Sequence, residues 1–211
     1  IFCLDRSGFV GEDGATHHGL YDISFLSCVP NMILAAPMNE IELRNLMFTA
    51  QQGLEHPIAI RYPRGRGEIV EWKQSFKEIE IGKAICLQKG NKKAILSTGT
   101  IGNNVVKALN SISNKNDYSH YHFPFIKPLD EEVLNEIAIR YESIITIEDG
   151  AKIGGFGSFI SNFYSSKEIV IPIEILGVPD IFLEQATVAE QQEICKIDVN
   201  SLKKLLSSYK I

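Results

Sequence analysis

Apolar residues in this chain gather into short runs at positions 1–4, 32–36, 58–62, 94–97, 120–123, 143–147 and 169–175. Several of these runs lack any polar alternation, which predicts parallel strands covered on both faces. Between them apolar positions recur at helical spacing. Asn39, with Glu42 three residues on, predicts a capped start for a helix over 40–52, ahead of Gly53. Val105, Val106, Leu109 and Ile112 form one stripe after Gly102, and Val133, Leu134 and Ile137 another after Asp130. Phe156, Phe159, Ile160 and Phe163 share a face within 154–165, Thr187 and Glu190 predict a second capping box, and 199–208 predicts a closing helix. Strand alternating with helix defines an α/β fold whose parallel sheet is built from right-handed crossovers. In such folds ligands bind where loops leave the carboxyl ends of strands.

The alternation breaks at 65–80, where charges mix with glycine without a clean period, so this stretch reads as a linker between two α/β units. A chain of 211 residues, 45% hydrophobic and 22% charged, can bury one core and hold one domain plus part of another. Ile1 stands where a start Met would, and the opening run already reads as a strand, so the chain is expected to begin inside a domain. A net charge of -5 and a pI near 5.6 argue against a nucleic-acid or anionic-membrane surface. No run approaches the ~20 apolar residues that span a bilayer, and the expected location is the cytosol, or the stroma in a plastid-bearing source. Cys3, Cys28, Cys86 and Cys195 have apolar neighbours and no CxxC spacing, and are expected to be reduced core thiols.

Two stretches concentrate chemistry. Asp5-Arg6-Ser7-Gly8-Phe9-Val10-Gly11-Glu12-Asp13-Gly14-Ala15-Thr16-His17-His18-Gly19 packs four glycines, three carboxylates, one arginine and two histidines into fifteen residues at a strand exit. Glycine lets backbone approach a ligand closely, and histidine beside carboxylates is a proton donor or acceptor near neutral pH. Spacing alone leaves open a surface loop of turn-making pairs, with His17 either catalytic or a buried, hydrogen-bonded support. His18 has the weaker claim, because adjacent side chains rarely face one pocket. Arg61-Tyr62-Pro63-Arg64-Gly65-Arg66-Gly67 follows another strand and offers a local anion site, since guanidinium matches phosphate as a planar fork. Salt bridges to nearby carboxylates are the alternative.

Three other features carry less. Gly150 and Gly154-Gly155-Phe156-Gly157 lack the G-x-G-x-x-G spacing, which favours tight helix–strand packing over phosphate binding. Glu148-Asp149 read as solvated turn carboxylates or helix caps ahead of an acid–base pair. His56, His120 and His122 have no zinc-site spacing and are assigned no function.

The stretch from Asp5-Arg6-Ser7-Gly8 through Asp13-Gly14, Thr16-His17 and Gly19 to Tyr21-Asp22 resembles the D-R-[AS]-G-x-x-G-x-D-G-x-T-H-x-G-x-[FY]-D segment of the 1-deoxy-D-xylulose 5-phosphate synthases. The resemblance continues through Pro30-Asn31-Met32, Ala36-Pro37-Met38-Asn39-Glu40 and Arg61-Tyr62-Pro63-Arg64-Gly65. It extends to Phe125-Ile126-Lys127-Pro128-Leu129-Asp130 and Leu176-Gly177-Val178-Pro179-Asp180.

The resemblance implies residues 1–66 as the latter part of a parallel-sheet pyrimidine-binding domain, 67–79 as linker and 80–211 as a transketolase-type C-terminal α/β domain with a mostly parallel sheet. It implies a homodimeric, thiamine-diphosphate- and Mg2+-dependent enzyme that joins pyruvate to D-glyceraldehyde 3-phosphate with loss of CO2. The product feeds isoprenoid, thiamine and pyridoxal formation. Carried over by position, Arg6 and Arg64 bind the aldehyde's phosphate, while His17 and Asp13 act near the reacting carbonyl carbons, Asp13 setting the orientation or charge of His17. The diphosphate and Mg2+ ligands, and the glutamate that activates the aminopyrimidine, precede Ile1 in the family's order, so this stretch alone is expected to be inactive. A C-terminal subunit of another transketolase-like enzyme and a non-catalytic dimerisation module are the alternatives.

Overall fold

The computed structural model describes residues 1–67, 71 and 73–209; residues 68–70 and 72 of the predicted linker, and 210–211 of the closing segment, lie outside the described residues. Among the described residues two sheets carry the fold. The first has four strands in the order β1 (Phe2–Leu4), β3 (Ile58–Arg61), β2 (Ile33–Ala35) and β7 (Phe125–Lys127). The second has the order β4 (Ile85–Gln88), β6 (Tyr118–His122), β5 (Lys93–Ser97), β8 (Ser143–Ala151) and β9 (Ile173–Val178). All neighbours are parallel except β2 with β7 and β4 with β6. The wholly apolar runs became parallel strands, as their lack of alternation predicts. β4 and β7, short and antiparallel at sheet margins, do not stand out as runs. β7 has a further consequence: although it follows the predicted linker, it pairs with β2 of the first unit.

Seven helices occur among the described residues: α1 (Asp22–Ser27), α2 (Glu40–Ala50), α3 (Gly102–Leu109), α4 (Glu131–Arg140), α5 (Phe156–Ser166), α6 (Val188–Ile194) and α7 (Val199–Ser208). The Asn39 side chain accepts from the Glu42 N–H at 3.0 Å and caps α2. The expected return bond is absent, because the Glu42 carboxylate accepts instead from Met38 N–H at 2.6 Å and meets His122 Nε2 at 2.8 Å. At α6 the Thr187–Glu190 box closes in both directions. α5 has no local side-chain cap. The Glu148 carboxylate reaches its first turn from β8, accepting from Phe156 N–H at 2.8 Å and Gly157 N–H at 2.9 Å.

The predicted linker lacks a period because its backbone is bonded to α2. Lys77 N–H donates to Asn45 Oδ1 at 3.0 Å, Ile79 N–H to Thr49 Oγ1 at 2.9 Å, and Arg44 Nη1 to the Gln74 carbonyl at 2.9 Å. Phe76 stacks on Phe48 with ring centroids 5.2 Å apart. Asn45 and Thr49 are buried polar residues on a helix for this reason: they satisfy the strap that crosses it. The cysteines correct an expectation. All four are free, but Cys3, Cys28 and Cys86 are exposed, since apolar neighbours on an edge strand or a short helix do not ensure burial; only Cys195 is a core thiol.

Candidate active site

β1 and β3 are adjacent and parallel, with Leu4 opposite Arg61, so the two chemistry-bearing stretches leave the sheet side by side. Their exits are joined by Tyr62 N–H to the Leu4 carbonyl at 2.9 Å and Ser7 N–H to the Tyr62 carbonyl at 3.0 Å. The loop then closes on itself: Gly8 and Gly19 exchange backbone hydrogen bonds of 2.8 and 3.0 Å. Both glycines are required. Gly8 has φ 70° and an added Cβ would lie 2.7 Å from Asp149 Oδ2, while a Cβ on Gly19 would lie 2.3 Å from the Arg6 carbonyl oxygen. Gly19→Ala, which must move backbone to fit, is expected to lower stability by about 1–3 kcal/mol; equilibrium denaturation checks this, and a change below measurement error would refute it.

Inside the loop, a 3-10 turn at Gly11–Asp13 is followed by Gly14 N–H to the Gly11 carbonyl and His17 N–H to the Gly14 carbonyl, each 3.1 Å. Phe9 and Val10 are buried, so the glycine-rich stretch is anchored and not a loose surface excursion. His17 points outward, exposed, with Nδ1 3.0 Å from Thr16 Oγ1. His18 turns inward: its Nδ1 accepts from Val10 N–H at 3.1 Å. Burial lowers its pKa, outweighing a backbone bond to Leu183 that raises it, and the neighbouring His17 lowers it further.

Asp13 Oδ2 pairs with Arg64 Nη1 at 2.6 Å, uniting two of the predicted site residues. Arg6, at φ 61°, is half-exposed and pairs with Asp5 at 2.5 Å. Arg6, Asp13, His17 and Arg64 thus sit on the two joined exits. The carboxylate of Asp13, however, faces Arg64, and the hydrogen bond to His17 comes from Thr16. A cleft of about 440 Å³ opens beside Arg64, lined among others by Met38, Tyr62, Arg66, Thr100 and Asn103.

Arg61, first of the three arginines, took the salt-bridge alternative. It is 1% exposed, with Nε 2.8 Å from Asp22 Oδ2, Nη1 2.6 Å from Asp149 Oδ1 and Nη2 3.3 Å from the Gly19 carbonyl. The expected solvated turn at Glu148-Asp149 is corrected accordingly: β8 continues through both, and both are buried. An arginine that directly follows the apolar residues Ile58-Ala59-Ile60 is the signal that could have pointed to a buried partner. Nothing in the spacing named Asp22 or Asp149.

Burial raises the Glu148 pKa from 4.5 to about 7, outweighing the two backbone N–H bonds and the charge of Arg61 that lower it. A folded-state pKa above the unfolded value means that this group's contribution is fully present below pH 4.5 and is lost as pH rises through about 7. Stability should therefore fall across that window. Glu148→Gln, which does not titrate there, should flatten the profile while weakening one helix-capping bond; denaturation at several pH values in both proteins decides it, and parallel profiles would refute the assignment.

The chain is an α/β protein in which two chemistry-bearing loops leave adjacent parallel strands side by side. The family described as "Transketolase, pyrimidine binding domain" matches residues 1–68, and "Transketolase, C-terminal domain" matches residues 82–202. The chain belongs to the transketolase family. Within it, the chain is similar to 1-deoxy-D-xylulose-5-phosphate synthases: 47% identical to that of Porphyromonas gingivalis over 96% of this chain, and 45% to that of Bacteroides thetaiotaomicron over 98%, each match covering 32% of the relative. The chain therefore spans about a third of the length of these relatives. Among solved structures, a split-gene transketolase described as an inactive β4 tetramer aligns with TM-score 0.79 at 24% identity, covering 96% of this chain and 63% of that one. A transketolase from Campylobacter jejuni aligns with TM-score 0.73 at 18% identity, covering 98% and 31% respectively. At these identities the structures speak to the fold alone.

Proposed function

We propose that this chain is the aldehyde-phosphate-binding part of a 1-deoxy-D-xylulose 5-phosphate synthase, joining pyruvate to D-glyceraldehyde 3-phosphate with release of CO2. The observation that carries this reading is the placement of Arg6, Asp13, His17 and Arg64 on two strand exits bonded to one another. Arg64 and Arg6, both half-exposed, supply guanidinium groups for the substrate phosphate, which competes with Asp13 and Asp5 for them. His17, its Nδ1 held by Thr16, directs Nε2 to the aldehyde oxygen and delivers the proton that the forming alkoxide takes up. Asp13, released when phosphate engages Arg64, adjusts the charge next to His17.

Thiamine diphosphate supplies the carbanion chemistry when bound by the whole enzyme. Among the described residues no group of three or more His, Cys, Asp or Glu side chains converges. The proposed function puts the diphosphate and Mg2+ ligands in the part of the enzyme outside this chain. The same reading makes the enzyme a cytoplasmic homodimer, stromal in a plastid-bearing source, that feeds isoprenoid, thiamine and pyridoxal formation. Tyr21, Phe25, Ile153, Ile181 and Phe182, exposed apolar side chains, support a subunit contact. Among the described residues no helix is long and apolar enough to cross a membrane.

The test is an assay of the full-length product of the native gene for pyruvate decarboxylation that depends on glyceraldehyde 3-phosphate. Activity that requires the aldehyde, thiamine diphosphate and Mg2+ is expected. A full-length protein that uses ketose donors instead would assign the chain to another transketolase-type enzyme.

A further inference from the structure

Gln191 on α6 is 0% exposed, and nothing in the proposed chemistry uses it. Its side-chain amide is spent on the loop. Oε1 accepts from Gly11 N–H at 3.2 Å, and Nε2 donates to the Gly11 carbonyl at 3.3 Å, so the amide pairs with residue 11 as one strand pairs with another. Nε2 also donates to the Glu184 carbonyl at 3.0 Å and lies 3.3 Å from His18 Nε2. Gly11 has φ 71°, and an added Cβ would meet the Ala186 carbonyl and Val188 Cγ2, each at 3.3 Å, so the peptide at Gly11 sits directly against the start of α6.

What hangs from Gly11 gives the contact its meaning. Gly11 opens the 3-10 turn that presents Asp13, its carbonyl accepts from Gly14 N–H, and the Gly14 carbonyl accepts from His17 N–H. Two successive turns thus connect the amide of Gln191 to the backbone of His17. Phe9, two residues before Gly11, is buried in the same cluster as Leu183 and Ile197 of the second unit, and His18, one residue after His17, is locked to Val10. The backbones that carry Arg6 and Arg64 are tied to each other by the Ser7–Tyr62 bond and not by Gln191, while the Arg64 guanidinium reaches the loop through Asp13 at 2.6 Å and the Val10 carbonyl at 3.5 Å.

The geometry points to Gln191 as a positioning residue: from the C-terminal unit it fixes the Gly11–Asp13 turn, and through it the placement of Asp13 and His17 relative to the two arginines. This rests on the function proposed above. A buried amide with both ends satisfied on one peptide holds that peptide in register, and loss of register by an ångström can cost roughly a hundredfold in rate.

The experiment uses the full-length enzyme with Gln191→Leu, which removes both bonds at similar volume, and Gln191→Glu, which keeps the acceptor and loses the donor. Turnover should fall roughly ten- to hundredfold in the Leu variant and less in the Glu variant, with KM for glyceraldehyde 3-phosphate changed less than about threefold. Amide hydrogen exchange should quicken at residues 10–17 while α3 and α7 keep their protection. If the Leu variant does not fold, the Glu variant carries the same comparison. Wild-type turnover in the folded variants, or faster exchange spread evenly over the C-terminal unit, overturns the assignment. Should the unmodified enzyme lack the proposed activity, that reading fails, and hydrogen exchange still decides whether Gln191 holds the turn.

Discussion

Arg61→Met is expected to lower stability by about 3–5 kcal/mol, the scale for stripping one partner from a buried ion pair. Arg61 is the shared counter-charge of Asp22, at the start of α1, and Asp149, at the end of β8. Methionine fills much of the same volume but leaves two buried carboxylates without their shared cation and the Gly19 carbonyl without its donor. The cost should be relieved by neutralising the acids: the triple variant Arg61→Met, Asp22→Asn, Asp149→Asn is expected to recover a substantial part of it. Arg61→Lys should fall between, because one ammonium cannot bond in the three directions that Nε, Nη1 and Nη2 cover. Urea denaturation of the full-length protein measures all of these; a loss under about 1 kcal/mol for Arg61→Met would place the charges in effective contact with water.

Arg64→Ala and His17→Ala separate binding from chemistry. A charged hydrogen bond to phosphate contributes on the order of 1.5–3 kcal/mol, so Arg64→Ala should lower kcat/KM roughly ten- to hundredfold, chiefly through a higher KM for glyceraldehyde 3-phosphate. His17→Ala removes a proton donor and should act on kcat, by roughly a hundred- to ten-thousandfold. Because Asp13 loses its partner in the Arg64 variant, Asp13→Asn combined with Arg64→Ala should cost less than the two single effects together. Steady-state kinetics with both substrates varied gives the answer; two variants with unchanged constants would remove these residues from the site.

The sequence made the framework legible where local physics decides. Runs such as Ile-Ala-Ile at 58–60 have one good solution, a strand buried on both faces, and Thr187 with Glu190 has one good use, a capping box. Legibility ended where a residue's partner lies far along the chain. Glu148 was readable as a cap, but its burial and its target at α5 depend on how β8 runs under that helix. Glu42 stands at the correct spacing to close a cap and is drawn instead to Met38 and to His122, eighty positions away. The four candidate residues came from a motif whose resemblance reaches across both units, whereas Arg61, Asp149 and Gln191, which brace them, carry no spacing signal. Their importance lies in burial, which composition does not show.

The antiparallel pairing of β7 with β2 bears on how the protein can be dissected. Cutting between the two matched families, near residue 80, would not release two finished bodies. The first piece would lose the strand that covers β2 and present Ile33, Leu34 and Ala35 along an open sheet margin, while the second would carry Phe125 and Ile126 on a tongue with nothing to grip. Open margins of that kind recruit other chains. Either half expressed separately should be prone to self-association, and a soluble half-molecule would need residues 125–127 supplied or mimicked on the side from which they were removed.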